Sequence, residues 1–354
     1  MEIRDRILGG LIGAAVGDSI GSVTEAKTIP AILQRHGRYV REFRKAPLDT
    51  FSRINWRGAV TDDFSLVYLM CKAFIDRDGQ VDRRLFEDVL IEWSDLPQYF
   101  YQAGPNSKDQ ILRLKGVLKD DPKAHLIARS DLYTNGTAMK AAPIGMISPG
   151  DLDRTIEETI LMCLPTHPAT VAVSGGAAVS CAVAEAMTEG ATKESVIDAA
   201  LYGARNGFER SKGVAYPSSG ARIERRIDMA VEVAIRYGRD RERLLYEMAS
   251  TVGTGFSCAE SAAAMFGFFL AAKDPMDMIF LGTNAGADTD SVATMGGAVY
   301  GVMTGPSAFP PEYQTIVEEN NFWDPEMTQH YQLGPMADGL AKIAERRMAH
   351  GGRH

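Results

Sequence analysis

The chain has 354 residues, a formal net charge of -8 and 45% hydrophobic residues, which is the composition of a soluble protein with a large buried core. Its basic residues do not collect in one run, so we expect no nucleic-acid partner bound through a basic face. No apolar run reaches the ~18–20 residues that a membrane helix needs, and no positive region precedes the first apolar stretch. These features exclude a membrane protein and predict a cytoplasmic one, whose four cysteines are buried free thiols.

Taken in chain order, ten segments carry apolar residues at helical spacing, and several are rich in Ala and Met. Alternating strand patterns are scarce, which argues against Rossmann and barrel folds. Residues 27–57, 104–106 and 212–220 are polar or rich in Gly, Pro and Ser, and they predict irregular connections. No linker divides the chain, which favours a single all-α domain over residues 1–354. The predicted helices are residues 7–20, 64–75, 84–93, 156–164, 169–188, 193–203, 222–237, 241–250, 259–273 and 291–304.

The first and last of these helices carry glycines at every fourth position, which places them on one helix face. Glycine costs about 1 kcal/mol relative to alanine inside a helix, so each stripe indicates that another backbone packs very close. No strand precedes the stripes and the G-x-G-x-x-G spacing is absent, so they are not a dinucleotide-binding fingerprint. The stripes are Gly9, Gly13, Gly17 and Gly21, and then Gly297, Gly301 and Gly305.

Two acidic clusters each open a predicted helix. Such residues often cap a helix, because their oxygens accept hydrogen bonds from free backbone N–H groups. A cap needs one oxygen, whereas each cluster supplies two carboxylates and at least one hydroxyl. If the two helix starts face each other, these hard oxygens suit a pair of Mg²⁺ or Mn²⁺ ions of the kind found in hydrolases. The clusters are Thr61, Asp62 and Asp63, and Asp288, Thr289, Asp290 and Ser291.

Other metal sites and other enzyme classes fit the sequence less well. An EF-hand that began at Asp288 would need glycine and glutamate where Ala293 and Val299 stand. No histidine pairs with a nearby cysteine as in a zinc site, and we expect His350 and His354 to lie in a frayed tail. An isoprenoid synthase would need D-D-x-x-D, which does not occur. The G-x-S-x-G spacing of an α/β-hydrolase is present at Gly17 to Gly21, but it lies at the end of the first predicted helix with no strand before it, so it is not a nucleophile turn.

The acidic clusters and four further motifs, in this order, resemble the ADP-ribosylglycohydrolase family, which includes the enzyme that removes ADP-ribose from dinitrogenase reductase. The similarity runs from about Ile7 to Gly305. Each motif is weak alone, but the ordered set is a specific signal for the family. The motifs are Gly9 to Gly21 with Glu25 beyond, Val60 to Asp63, Gly104 to Ser107, Asn135 to Gly145, Thr166 to Pro168, and Asn284 to Ser291.

The resemblance implies a compact, orthogonal multi-helix bundle with a central cleft that binds two divalent cations, Mg²⁺ or Mn²⁺. Asp62 or Asp63 would be the catalytic base, with Glu25 as the rival candidate. The metal ligands that the resemblance implies are Thr61, Asp62, Asp63, Asp288, Asp290 and Ser291.

The resemblance also implies three substrate-binding segments. These are a loop with Gly104, Asn106 and Ser107, a second loop with Asn135 and Gly136, and His167. On the sequence alone, a single histidine before proline is more often a surface or capping residue, so both interpretations of His167 stay open.

The implied activity is hydrolysis at the anomeric carbon of a ribose, in an ADP-ribosylated protein or small molecule. Phe64, Ala287 and Lys140 depart from the residues that the family often has, namely Thr, Gly and Arg. These departures leave room for a smaller ribosyl substrate, such as a nucleoside-like N-glycoside. A further alternative is a non-catalytic module that binds ADP-ribose or a nucleotide. The sequence does not predict an oligomeric state.

Overall fold

The computed structural model describes residues 1–53, 55–119 and 130–351, which fold into 17 α-helices joined by turns and short 3-10 segments. Within these ranges there is no β-sheet, although isolated bridges occur, such as the one between Thr134 and Ser257. The predicted all-α fold class is confirmed. The helices are α1 (Ile3–Gly21), α2 (Ile29–His36), α3 (Asp62–Asp76), α4 (Arg83–Trp93), α5 (Pro97–Phe100), α6 (Pro105–Leu114), α7 (Ala142–Met146), α8 (Leu152–Cys163), α9 (Thr170–Ala186), α10 (Lys193–Ser211), α11 (Ile223–Tyr237), α12 (Arg241–Thr251), α13 (Cys258–Ala271), α14 (Pro275–Thr283), α15 (Thr289–Thr304), α16 (Pro311–Glu319) and α17 (Leu333–Gly351).

All ten predicted helices are present, and most of their ends lie within a few residues of the prediction. The largest difference is in α10, which the sequence pattern predicts only to Gly203 but which continues to Ser211. Gly203 does not end the helix, because it packs against α9 at a point where a Cβ atom would overlap the carbonyl oxygen of Ala177. The connection predicted for residues 212–220 then follows directly.

Seven further helices of the described chain lie outside the predicted segments. Helix α2 interrupts the connection predicted for residues 27–57, where Thr28 caps its start by accepting from the Ala31 amide at 3.4 Å. Helix α6 begins at Pro105, so the loop predicted for residues 104–106 is wrong beyond Gly104, which occupies the N-cap position. Most of these helices are short, so their apolar periodicity is a weak signal.

The last helix, α17, is long but carries Gly334, Pro335 and Gly339 near its start, which are residues that oppose a helix in sequence. It forms because its apolar face packs on α1 and α3. Helix α17 continues through His350, so that residue is helical and not part of a frayed tail, whereas His354 lies outside the described residues.

The contact between α1 and α15 is the central packing interface, and the two glycine stripes form it. A Cβ atom at Gly13 would overlap the carbonyl oxygen of Gly297, and one at Gly9 would overlap the carbonyl oxygen of Gly301. Because neither helix carries side chains along this line, the two backbones lie in direct contact. The stripes are therefore helix-packing surfaces.

The segment between α1 and α3 is tied to the core by two asparagines. Asn284 donates to the Val40 carbonyl oxygen and accepts from the Val40 amide, both at 2.8 Å. Asn321 accepts from the Val60 amide at 2.8 Å and donates to the Gly58 carbonyl oxygen at 2.9 Å. These bonds fix the irregular backbone that leads from the end of α1 to the start of α3.

One apolar cluster includes residues from Ile7 in α1 to Ile343 in α17. This continuous core supports the single-domain organisation, which stays a prediction. The four cysteines are buried and free, as predicted. Among the described helices, none is both long and apolar enough to cross a lipid bilayer.

We expect Gly13→Ala to destabilise the protein by about 2 kcal/mol or more, because the added methyl group pushes α1 away from α15. The matched control is Gly334→Ala in α17, where an added Cβ atom would have no neighbour closer than 3.8 Å. Urea unfolding measures both free energies. Equal stability of the two variants would contradict the close backbone contact.

Candidate active site

The starts of α3 and α15 meet at the carboxyl end of α1. A Cβ atom at Gly21 would lie 2.6 Å from the Asp290 Cα atom, so α15 begins directly against the end of α1. The Thr289 hydroxyl donates to the Gly21 carbonyl oxygen at 2.8 Å and fastens this junction. Ser291 of α15 interacts with the carboxylate of Asp63 in α3. The two acidic clusters, which are far apart in sequence, therefore occupy one site.

Asp18 of α1 holds the start of α3 in this position. Its buried carboxylate accepts from the Thr61 amide at 2.9 Å, from the Thr61 hydroxyl at 2.7 Å and from the Phe64 amide at 2.9 Å. Asp18 lies within the motif from Gly9 to Gly21, and the sequence alone assigns it no role. The available signal was a carboxylate in an otherwise apolar helix, since a buried charge requires hydrogen-bond partners.

A second group of carboxylates converges across the site. One oxygen each from Glu25, Asp288 and Asp290 lies within 4.8 Å of the others, and all three residues are buried. Asn135 donates to Asp288 Oδ2 at 2.5 Å and to Ser261 Oγ at 2.9 Å, which fixes one side of the group. Glu25, predicted as a catalytic candidate, thus stands with two predicted metal ligands.

Helix capping explains only one member of the two clusters. The Thr61 hydroxyl caps α3 by accepting from the Asp63 amide at 3.2 Å. Asp288 occupies the N-cap position of α15 but makes no capping bond through its side chain. The buried atoms Asp63 Oδ2 and Asp290 Oδ1 have no hydrogen-bond partner within the described chain. Carboxylate oxygens left in this state need another ligand.

The electrostatics of the site oppose ionisation of these carboxylates. Burial raises the pKa of Asp18 to about 6. Burial, assisted by the charge of Asp18, raises the pKa of Asp62 to about 7. Burial first and mutual repulsion second also raise three further pKa values well above their usual range, those of Glu25, Asp63 and Asp290.

The donor set fits divalent cations that prefer oxygen ligands. Five carboxylates from the end of α1 and the starts of α3 and α15 supply only oxygen, and some of these oxygens lack a partner. Mg²⁺ and Mn²⁺ take such ligands, and their positive charge would offset the repulsion that raises the pKa values. The five residues are Glu25, Asp62, Asp63, Asp288 and Asp290.

The turn that follows residue 133 brings Asn135, Gly136 and His167 together. A Cβ atom at Gly136 would lie 2.6 Å from His167 Cε1, so the imidazole ring packs directly on this turn. Both ring nitrogens of the buried His167 are hydrogen-bonded, Nδ1 to the Thr166 hydroxyl and Nε2 to the Thr134 hydroxyl. His167 is therefore not the surface or capping residue that the bare sequence favours, and it supports the turn.

The first turn of α6 contacts the segment that carries His167. Asn106 is buried and donates to the Thr166 carbonyl oxygen at 2.9 Å, while its Oδ1 atom has no partner within the described chain. Ser107 is half-buried, and Lys108 lies close enough to Asp62 to oppose the rise of its pKa. Gly104 is exposed with open space around it, so the predicted close approach of this backbone to a ligand is sterically free.

The three departures from the family pattern do not occupy one surface of the cleft. Phe64 is fully buried and packs on Tyr331, and Lys140 is also buried. Ala287 adopts a left-handed conformation with φ 58°, which explains why glycine is common at that position. Phe64 and Lys140 therefore do not select a substrate by direct contact.

A groove with a volume of about 650 Å³ opens beside the carboxylates. Ala26 and Ala287 line it, and each is the sequence neighbour of a carboxylate residue of the site. The half-exposed aromatic rings of Tyr246 and Phe256 form another part of its wall. The lining thus includes sequence neighbours of Glu25 and Asp288, but none of the five carboxylates of the site.

A sequence model of the ADP-ribosylglycohydrolase family matches residues 1–350. The chain is 27% identical over 350 residues to the uncharacterized protein YegU of Escherichia coli (strain K12), which covers 98% of this chain and 99% of that protein. It is 23% identical over 348 residues to the ADP-ribosylarginine hydrolase Tri1 of Pseudomonas putida (strain GB-1). That alignment covers 96% of this chain and 81% of Tri1. A solved structure, an ADP-ribosylglycohydrolase-related protein complex, has the same fold, with a TM-score of 0.63 and 20% sequence identity. The superposition covers 98% of this chain and 99% of the chain in that structure.

The fold and the acidic cleft are those of an all-α hydrolase family. The chain belongs to the ADP-ribosylglycohydrolase family, and the resemblance inferred from the ordered motifs is confirmed. The family relationship indicates a hydrolase that acts on glycosidic bonds of ADP-ribosylated substrates.

We expect divalent cations to stabilise the protein more at pH 7.5 than at pH 5.5. Carboxyl groups of the unfolded chain lose their protons near pH 4, whereas in the folded protein Asp18 and Asp62 keep theirs up to about pH 6 and about pH 7, so the metal-free protein loses stability as the pH rises through that window. A bound cation removes the repulsion and competes with the protons. Thermal unfolding with saturating MgCl₂ and with a chelator measures the gain in Tm at both pH values. A gain independent of pH would contradict the raised pKa values.

Proposed function

We propose that this protein is a metal-dependent hydrolase that cleaves the glycosidic bond at the anomeric carbon of an ADP-ribosyl ribose. The observation that carries this proposal is the convergence of Glu25, Asp288 and Asp290 with the start of α3 in one buried cleft. The raised pKa values and the unpartnered oxygens support a site built for cations rather than for structure alone.

We propose that Mg²⁺ or Mn²⁺ ions, two in number, are held by Thr61, Asp62, Asp63, Asp288, Asp290 and Ser291. When bound, they supply Lewis-acid polarisation of substrate oxygens. Thr61 contributes with one hydroxyl lone pair, because its proton goes to Asp18 and another lone pair accepts from the Asp63 amide. Asp18 keeps that hydroxyl in place, which makes it a positioning residue.

The chain's own groups would prepare a water molecule and the sugar. Asp62 is our candidate for the base, because it is only half-buried, whereas the other carboxylates of the site are buried, and a water molecule can therefore reach it most easily. Asp63 and Glu25 are the rival candidates, and both are buried more deeply. Asn135 fixes the orientation of Asp288 and thereby the edge of the site that faces the ribose.

The groove beside the carboxylates would take the remainder of the ADP-ribosyl group. The rings of Tyr246 and Phe256 suit stacking with a planar base, and the first turn of α6 presents free backbone N–H groups from a helix N-terminus. Relatives named ADP-ribosylarginine hydrolase make ADP-ribosyl-arginine the first substrate to test.

We expect release of free ADP-ribose from at least one of ADP-ribosyl-arginine, ADP-ribosyl-serine and O-acetyl-ADP-ribose, in the presence of Mg²⁺ or Mn²⁺. The product is measured by chromatography. Exhaustive chelation should abolish the release, because the carboxylates then repel each other and hold protons. Activity that survives chelation would overturn the metal-dependent scheme. Turnover of simple ribosides alone would assign a smaller substrate, and tight ADP-ribose binding without turnover of any compound would assign a binding module.

We expect Asp62→Ala combined with Asp290→Ala to lower turnover by about 10³-fold or more, the scale of loss when principal catalytic groups are removed. The matched control is Asp76→Asn at the exposed end of α3, where, among the described residues, the carboxylate forms an ion pair with Lys72 alone. Circular dichroism checks that both variants stay helical. Near-native turnover in the folded double variant would place the active site elsewhere.

A further inference from the structure

A hydrogen-bonded cluster centred on Thr166 lies behind the predicted substrate-binding residues. Lys140 Nζ donates to Thr166 Oγ1 at 3.2 Å, and the same oxygen lies 2.9 Å from His167 Nδ1. The other ring nitrogen, Nε2, lies 2.8 Å from Thr134 Oγ1. Lys140, Thr166 and His167 are only 2%, 0% and 1% exposed, so water does not compete for these bonds. The four side chains form one continuous chain of hydrogen bonds.

Lys140 determines which atom is the donor and which the acceptor in each of these hydrogen bonds. A lysine ammonium group has three donors and no acceptor, so Thr166 Oγ1 must accept from it. Burial lowers the pKa of Lys140 to about 8, which leaves the group mostly protonated at neutral pH. In the first hydrogen bond of the series, Lys140 is therefore the donor and Thr166 the acceptor.

The proton of the Thr166 hydroxyl then has one acceptor. Its only other contact within the described chain is Nδ1 of His167. Because a buried hydroxyl proton without an acceptor is costly, the proton is donated to Nδ1. His167 is consequently a neutral imidazole with its own proton on Nε2, and Nε2 donates to Thr134 Oγ1.

Thr134 is the last residue of this series of hydrogen bonds. It is half-buried and directly precedes Asn135, whose side chain contacts Asp288. Since the Thr134 oxygen accepts from His167, its hydroxyl proton is directed elsewhere, and no acceptor for it lies within the described chain. This proton makes Thr134 a hydrogen-bond donor, next in sequence to a residue that contacts the acidic site.

We propose that Lys140, acting through Thr166 and His167, orients the Thr134 hydroxyl to donate a hydrogen bond to a phosphoryl oxygen of the bound substrate. The identity of the ligand rests on the proposed function. The donor–acceptor order of the four hydrogen-bonded side chains does not depend on it. Thr134 is then a substrate-binding residue and Lys140 is a positioning residue. Both roles are distinct from those proposed above for the acidic residues.

The tautomer of His167 tests the direction of the chain without any substrate. Protein labelled with ¹⁵N-histidine is measured by long-range ¹H–¹⁵N correlation at neutral pH, and the His167→Gln variant identifies the signal. We expect the neutral form with the proton on Nε2. Lys140→Met should add the form with the proton on Nδ1, because Thr166 Oγ1 is then free to accept from the ring. Lys140→Arg should retain the wild-type signal.

A wild-type imidazolium, a wild-type proton on Nδ1, or a Lys140→Met spectrum identical to the wild type would overturn the inferred direction. Thermal unfolding accompanies each variant. A purely structural lysine would change Tm and leave the tautomer unchanged, so the two roles are distinguishable.

Calorimetric titration with ADP-ribose in the presence of Mg²⁺ tests the role of Thr134. We expect Thr134→Val to weaken binding about tenfold, the usual effect of losing a hydrogen bond to a charged group. Thr134→Ser should restore the affinity, since it restores the hydroxyl. The matched control is Thr188→Val, because Thr188 is half-buried but its hydroxyl donates to Glu185 within α9 and its adjoining turn.

The coupling between the two residues completes the test. Lys140→Met should weaken ADP-ribose binding in the wild-type background but have little further effect in Thr134→Val, because both act on one hydrogen bond. Additive losses, or unchanged binding in Thr134→Val, would overturn the role of Thr134. If the wild-type protein binds no ADP-ribose, both the proposed function and this ligand for Thr134 are wrong. The His167 tautomer then still shows whether Lys140 sets the donor–acceptor order of the hydrogen bonds.

Discussion

The direct backbone contact between α1 and α15 is the constraint on which the rest of the structure depends. Glycines on both helices remove the side chains that would hold the backbones apart, and the loss of helix propensity at each one is offset by close packing. The same contact brings Asp18 and the end of α1 to the start of α15. Since Asp18 also binds the first turn of α3, one helix interface determines where both acidic clusters lie.

The acidic cleft is held in an electrostatically unfavourable arrangement by neutral partners. Hydrogen bonds from Thr61, Asn135 and backbone amides fix several carboxylates, but no arginine or lysine forms an ion pair with them within the described chain. A bound cation would stabilise such a site, so the cation binding that we propose would be linked to folding. The fold accounts for the raised pKa values and supplies the oxygen-rich site that the proposed metal-dependent hydrolase requires.

The walls of the cleft are supported from behind by buried polar groups. Thr166 bonds to Asn106 of α6, to Lys140 and to His167, so it connects the predicted substrate-binding segments. Buried hydrogen-bond networks of this kind fix both the geometry and the direction of donors. The direction matters here because a phosphate-bearing substrate needs donors, whereas the centre of the site offers mainly acceptors.

The sequence by itself determined the all-α class, the ten strongly periodic helices, the glycine stripes and the two acidic clusters, because these are local patterns. It did not predict α2 or α17, whose signals are short or contain glycine and proline, and it left Asp18, Thr134 and Thr166 without roles. Only the tertiary structure decided that the acidic clusters share one cleft with Glu25 and that His167 is buried. The physical reason is that these facts depend on contacts between residues distant in sequence, which the packing of α1 on α15 creates.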